Sequence, residues 1–142
     1  MKAPADVEIR LLGPGDENIV SALRTYEGEG DPEGLLADPR SLVLVAFDGA
    51  VPVGLVLAHE LPRRHGDRSK LFVYEVDVAE PHRRRGVATA LLERLAGLAR
   101  ERGIRSGFVL TDRDNVAANA LYRSAGGSAR EAVEWDFEYT DN

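Results

Sequence analysis

The sequence predicts an α/β domain with a mixed sheet, on three observations. Two apolar runs, Ser41–Phe47 and Pro52–Glu60, meet at Asp48-Gly49, a dipeptide that favours a tight β-hairpin. From Gly86 to Arg102 the apolar residues Val87, Leu91, Leu95 and Leu98 recur at the spacing of one helix face. Further strand-like and helix-like stretches then alternate towards the C-terminal end. With 142 residues, the chain reads as one domain over 1–142, large enough to bury a core without disulfides or metals.

The elements follow in order. Val7–Leu12 alternates as a first strand, and Gly13-Pro14-Gly15 breaks it. Asp16 can cap a helix running to about Tyr26. An acidic, glycine-rich stretch, Glu27–Gly34, leads into a short helix near Leu35–Ala37, and the hairpin comes next. Leu61–Lys70 reads as a basic loop and Leu71–Val78 as a further strand. Gly103 stops the long helix. Gly107–Thr111 then suits a strand, Asp114 an N-cap, and Val116–Ser124 a helix closed by Gly126-Gly127. Ala129–Tyr139 mixes apolar and acidic residues as a final strand would.

Composition removes several classes of chemistry. There is no cysteine, which excludes disulfides, thiolate catalysis and cysteine-ligated zinc. His59, His65 and His82 lack metal-ligand spacing, so no metal site is expected, and His59 and His65 have no inferable partner. No apolar run reaches the roughly 18 residues of a membrane span, and Met1–Arg10 lacks a signal-peptide core. The expectation is a soluble, cytoplasmic protein. Net charge is −6 but unevenly spread: residues 1–62 carry −7, whereas residues 81–105 carry +5. An acidic chain with one basic block does not suit a nucleic-acid backbone; it suits an anion held in one place and a cation in another.

The basic block sits where an anion site would form. In Tyr74–Leu92 a strand enters a short loop, and Arg83, Arg84, Arg85 and Gly86 open the long helix. The first amides of a helix have no internal acceptors, and its dipole places partial positive charge there. Gly86 and Ala88 leave room for a phosphate to approach the backbone, and Thr89 offers a hydroxyl. A solvated basic helix start with a packing glycine is the plainer reading, yet three arginines there oppose the dipole. The segment lacks the Gly-Lys-Ser/Thr of a P-loop and the GxGxxG of a dinucleotide fold.

Arg83-x-x-Gly86-x-Ala88 resembles the Arg/Gln-x-x-Gly-x-Gly/Ala signature of the GCN5-related N-acetyltransferase (GNAT) superfamily, and Asp114-Asn115-x-x-Ala118-x-x-Leu121-Tyr122-x-x-x-Gly126 resembles its second signature. Val45–Gly49, Leu61-Pro62, Tyr74-Glu75 and His82–Leu91 look like the type I aminoglycoside 3-N-acetyltransferases, as does the acid-rich ending after Arg130-Glu131. The resemblance implies a mostly antiparallel mixed sheet flanked by helices, with a splayed central strand. It also implies acetyl-CoA as acyl donor, a small cationic acceptor (the 3-amine of an aminoglycoside, hence antibiotic resistance) and a homodimer.

The same resemblance assigns roles. The cofactor-binding set is Arg83, Arg84, Arg85, Gly86, Val87, Ala88 and Thr89 at the pyrophosphate, with the amides of Val76, Asp77 and Val78 along the pantetheine arm. Asn115 adds a contact to that arm or starts its helix. Glu75 stands where the aminoglycoside family has an aspartate, and becomes the general base for an amine that arrives protonated. Its plainer reading is a cross-strand ion pair. Tyr122 matches the tyrosine that protonates the departing thiolate; otherwise it is half-buried core. The histone-type branch uses a glutamate where this chain has Phe72, which argues against a histone-like mechanism.

Polycationic acceptors call for carboxylates without nearby bases. Glu27, Glu29, Asp31 and Glu33 supply one group; Glu134, Asp136 and Glu138, on one face of a regular strand, supply another with Glu131. Either group also reads as a solvated face. Two alternatives stay open: a polyamine, small-amine or protein N-acetyltransferase, and a CoA-binding regulatory domain without turnover. Glu75 and Tyr122 favour an enzyme over the last, since a binder needs neither.

Overall fold

A computed structural model describes residues 6–23 and 28–140. The element order is β1 (Val7–Leu11), α1 (Glu17–Ala22), α2 (Pro32–Ala37), β2 (Ser41–Asp48), β3 (Val51–Pro62), β4 (Ser69–Val78), α3 (Val87–Glu101), β5 (Gly107–Val109) and α4 (Val116–Ser124). The strands form one sheet in the order β1-β2-β3-β4-β5. The first three pairings are antiparallel and β4 with β5 is parallel. This is the mixed, mostly antiparallel sheet that the resemblance implies.

The sheet is covered on both faces. On one, Leu42, Leu44, Val56, Ala58 and Leu71 pack against Val87, Leu91 and Leu95 of α3. On the other, Val43, Val45, Phe47, Leu55 and Leu57 pack beneath Leu36 of α2 and Ile19 and Val20 of α1. The central strands β2 and β3 are therefore apolar on both sides, which is why their sequence runs rather than alternates. Gly54 of β3 sets the seat of α3. A Cβ there would lie 3.0 Å from Val87 Cγ1 and 3.2 Å from Leu91 Cδ1, so any larger residue would push these side chains back by a few tenths of an ångström.

Two irregularities shape β4. Its register against β3 steps from Leu57↔Glu75 to Ala58↔Val73, leaving Tyr74 as the extra residue of a β-bulge. Against β5 it pairs only from Leu71 to Val73, facing Gly107 to Val109. Beyond the bulge the strand leaves β5, and that is the splay.

Several expectations are corrected. The last strand, over Ala129–Tyr139, does not form: residues 128–140 have neither helix nor strand and are exposed. Alternation gives a chain the side-chain pattern of a strand, but a strand needs a paired edge, and β5 is only three residues long. Glu134, Asp136 and Glu138 therefore share no strand face. The α4 N-cap is Asn115, not Asp114, because its side-chain oxygen accepts from Ala118 N–H at 3.0 Å. Asp16 makes no side-chain cap on α1; its carboxylate turns back to accept from Gly13 N–H at 3.0 Å. Helix α1 ends at Ala22, short of Tyr26, and both Tyr26 and Glu27 lie outside the described residues. The basic loop shrinks to residues 63–68, since β3 and β4 extend into it.

Candidate active site

The half of the candidate site expected to hold an anion is made of backbone. A short 3-10 turn, Glu80–His82, follows β4, and Gly86 precedes α3 in the left-handed conformation, φ 81°. Arg84 also has positive φ, 63°, the only such non-glycine among the described residues. A bulky residue held left-handed stores strain, and such strain clusters at ligand clamps. No side chain caps α3 and its first turn holds no acid. The first helical bond runs from Ala90 N–H to Gly86 O, which leaves the amides of Val87, Ala88 and Thr89 without acceptors inside the helix. Arg83, Arg84 and Arg85 are exposed around this rim. Such an end attracts a doubly charged phosphate group.

The strand end beside it is open. Ala79 N–H donates to Val53 O at 2.8 Å. Backbone groups alternate sides along a strand, so the amides of Asp77 and Glu75 also point to β3. Those of Val76 and Val78 point into the gap left by β5. Arg83 Nε donates to Val78 O at 2.9 Å and ties the loop to this strand end. Val76 and Val78 thus offer free donors beside the α3 start, whereas Asp77 presents its amide to β3.

Glu75 stands just after the bulge, opposite Leu57, and Asp77 follows opposite Leu55. Both carboxylates therefore lie on the sheet face opposite α3. The cross-strand ion pair does not occur: the facing residue is a leucine, and among the described residues Glu75 has no salt bridge. Burial and the neighbouring Asp77 charge push its carboxyl above the usual range, with His59 pulling the other way. His59 Nδ1 is 3.2 Å from Ser41 Oγ on β2. His59 thus joins the surroundings of Glu75, although its own sequence neighbours give no hint of that; the contact comes from β3–β4 register.

Tyr122 lies half-buried on α4, and burial raises its phenol above the ordinary value. Among the described residues no hydrogen bond, ion pair or ring contact joins it to Glu75. Asn115 caps the same helix, and Asn119 was not anticipated from sequence. Its Nδ2 donates to Asp112 O (3.0 Å), Arg113 O (3.3 Å) and Asn115 O (2.8 Å), fastening the β5–α4 connection. An asparagine four residues after an N-cap asparagine is the signal that marks it.

The acidic groups lie at the periphery. Glu29, Asp31 and Glu33 are exposed. Asp31 is the N-cap of α2, its Oδ1 accepting from Gly34 N–H at 3.0 Å, and Glu33 lies in that helix's first turn. Part of this cluster is therefore helix-start chemistry. Glu131 pairs with Arg113, and Glu134 lines a groove with Leu110–Arg113; Asp136 is exposed beyond it.

A splayed strand with open amides, an uncapped basic helix start next to it and a half-buried carboxylate at the fork fit the acyltransferase site that the sequence resemblance implies. Residues 15–126 match the acetyltransferase (GNAT) family. The chain belongs to this family. It is 31% identical over 127 residues to a streptothricin acetyltransferase of Streptomyces lavendulae, with 88% of this chain and 60% of that protein covered. The chain thus spans about 60% of that relative's length. An aminoglycoside acetyltransferase from an uncultured soil metagenomic sample superposes with TM-score 0.82 at 28% identity, over 94% of this chain and 99% of that one. A ribosomal-protein-alanine N-acetyltransferase from Brucella melitensis biovar Abortus 2308 does so with TM-score 0.76 at 26% identity, over 94% and 99%. Those three proteins carry different amine acceptors in their names.

Proposed function

We propose that the chain acetylates an amine of a polycationic amino sugar of the aminoglycoside type, the 3-amine of its deoxystreptamine ring being the position the type I resemblance favours. One observation carries this reading: Glu75 is a half-buried carboxylate without an ion pair among the described residues, at the fork between β4 and β5. A raised pKa makes it a stronger base than a surface glutamate, and a neighbouring Asp77 draws cations to it. Two similar proteins are named for antibiotic acceptors, which supports the same choice.

The chemistry then divides among the chain's own residues. Acetyl-CoA supplies the activated acetyl group. The α3 start, from Arg83 to Thr89, binds its pyrophosphate, and the amides of Val76 and Val78 hold the pantetheine arm and polarise the thioester carbonyl. Glu75 takes the proton that the ammonium must lose before it attacks. A carbon–nitrogen bond forms, the carbon–sulfur bond breaks as the tetrahedral species collapses, and the second proton shed by the attacking nitrogen leaves with coenzyme A as its thiol. Tyr122, whose raised pKa keeps its proton in place, donates a hydrogen bond to the leaving sulfur. A phenol above pKa 10 is a weaker acid than a thiol near 8.5, so hydrogen bonding is the larger part of that role. Asn115 supports the same side, and Glu29, Glu33, Glu134 and Asp136 attract the polycation over longer range. We also place the protein in the cytoplasm as a homodimer; the exposed Val133, Trp135, Phe137 and Tyr139 support association.

The similarity to the Brucella enzyme favours one other reading, a protein N-terminal amine as acceptor. Acetyl-CoA turnover on a panel of gentamicin, spermidine and an alanine-terminated peptide separates these. The proposal expects gentamicin to give the highest kcat/KM. A preference for the peptide overturns it, and acetyl-CoA binding without turnover of any acceptor replaces it with a regulatory domain.

A further inference from the structure

The bulge that splays β4 also alters which side chains share a face. In register, His59 of β3 faces Phe72 of β4, and Phe72 faces Phe108 of β5. Tyr74, the extra residue, lays its ring against both His59 and Phe72, with centroids 5.9 and 5.6 Å apart and edge-to-face geometry. Phe72 stacks on Phe108 at 4.7 Å with 8° between the ring planes. Four rings therefore form a continuous ladder across three strands. Because His59 continues the β3 series of Leu55 and Leu57, this ladder lies on the face of Glu75 and Asp77.

A regular strand would have turned Tyr74 to the opposite face from Glu75. The bulge instead brings them side by side, and Tyr74 is 60% exposed in the middle of a sheet whose other central residues are mostly covered. Phe108 is 38% exposed at the far end, where Lys70 Nζ lies 5.6 Å from its ring centroid. The charged groups facing the ladder are thus Glu75 and Asp77 at one end and Lys70 at the other, with His59 between strands and tied to Ser41.

We propose that Tyr74, backed by Phe72 and Phe108, is the specificity platform of the acceptor site: a saturated ring carrying protonated amines stacks on it while one amine reaches Glu75. Aromatic faces attract ammonium groups and the polarised C–H bonds of a cationic ring, and the adjacent carboxylates complete the charge match. A linear polyamine of similar charge has no ring face to offer, so the platform selects cyclic over linear amines. This inference rests on the amine-acetyltransferase reading above and adds the acceptor's shape to it.

The test uses the full chain with gentamicin and spermidine as acceptors and acetyl-CoA saturating. Tyr74→Ala should raise the KM for gentamicin about tenfold, the worth of a lost ring contact in a partly desolvated site, and lower the gentamicin-to-spermidine ratio of kcat/KM by a similar factor. Tyr74→Leu keeps bulk without a π-face and should behave like the alanine variant, whereas Tyr74→Phe should recover most of the affinity. Any shift in the KM for acetyl-CoA should be much smaller. An unchanged ratio in Tyr74→Ala, or a leucine variant equal to the parent, overturns the platform while leaving the acetyltransferase reading intact. A parent enzyme that turns over spermidine and not gentamicin overturns the platform and the amino-sugar acceptor together, while amine acetylation itself stands. A melting temperature for each variant separates recognition from folding, and the exposed position of Tyr74 makes a fold loss easy to detect as a fall in all activities together.

Discussion

The proposed donor and acceptor halves of this site are built from different materials. The donor half consists of backbone: the amides of Val76 and Val78, the left-handed Gly86 and the open first turn of α3, all pinned by Gly54 and Val87 packing and by the Arg83–Val78 bond. The acceptor half consists of side chains, among them Glu75, Asp77 and the ring ladder, with exposed acids on the α2 approach and on residues 128–140. Backbone geometry constrains which residues fit, so the donor half demands glycine and small residues at fixed spacing. Side chains on a surface leave far more freedom. That difference lets one family keep one donor while its members act on many amines.

The largest test of this contrast falls on the donor half. Gly86→Ala forces a Cβ into φ 81°, which costs roughly 1–2 kcal/mol by conformation alone. It also narrows the pyrophosphate approach. Calorimetry should show acetyl-CoA affinity falling at least tenfold with a modest drop in melting temperature; unchanged affinity would place the cofactor elsewhere.

Next comes the connection that carries α4. Asn119→Ala removes the Nδ2 donor that the carbonyls of Asp112, Arg113 and Asn115 share, and because these bonds are exposed the loss is about 0.5–1.5 kcal/mol. Melting temperature and kcat should fall together, because Tyr122 rides on the same helix. A kcat unaffected by that change would detach Tyr122 from the chemistry.

On the acceptor side the effects should be smaller and more selective. Neutralising Glu29 and Glu33 together, with Asp31 kept as the α2 cap, should raise the KM for a polycation a few-fold and flatten its salt dependence. The KM for acetyl-CoA should stay put. Equal shifts for both substrates would mean that these acids act through α2 folding.

Most of the fold was legible because burial writes itself into composition. The hairpin of β2 and β3 and the apolar face of α3 were readable from Val43–Phe47, Val53–Ala58 and Val87–Leu95, residues that the core now contains. The uncapped start of α3 proposed to hold the donor was legible for a related reason, since Gly86 and the arginine rim sit in one short segment. The unread parts depend on contacts distant in sequence. Nothing local announces the bulge at Tyr74, so neither the ring ladder nor the approach of His59 to Glu75 could be foreseen. The segment after Ala129 shows the opposite failure: its alternation is genuine, yet it finds no strand to pair with among the described residues.

The smallest effect is one of stability. Because the folded pKa of Glu75 is raised, the native state holds that proton more tightly than the unfolded chain does. Stability is therefore lost as pH rises from the ordinary value of 4.5 through the raised one. Glu75→Gln should melt slightly higher than the parent at neutral pH, and that advantage should vanish below pH 4.5, where both side chains are neutral.

The same substitution provides the most direct test of the central claim, that a desolvated Glu75 deprotonates the acceptor amine. The measurement is the pH dependence of kcat/KM on gentamicin, for the parent and for Glu75→Gln, with acetyl-CoA saturating. The parent should lose activity as pH falls through the raised carboxyl pKa. The glutamine variant should be slower by about 10²–10⁴ at neutral pH, lack that acid limb and regain activity at high pH, where the amine is already neutral. A Glu75→Gln enzyme with the parent's rate and profile would contradict the account and move the base to another carboxylate, with Asp77 the nearest on the same face.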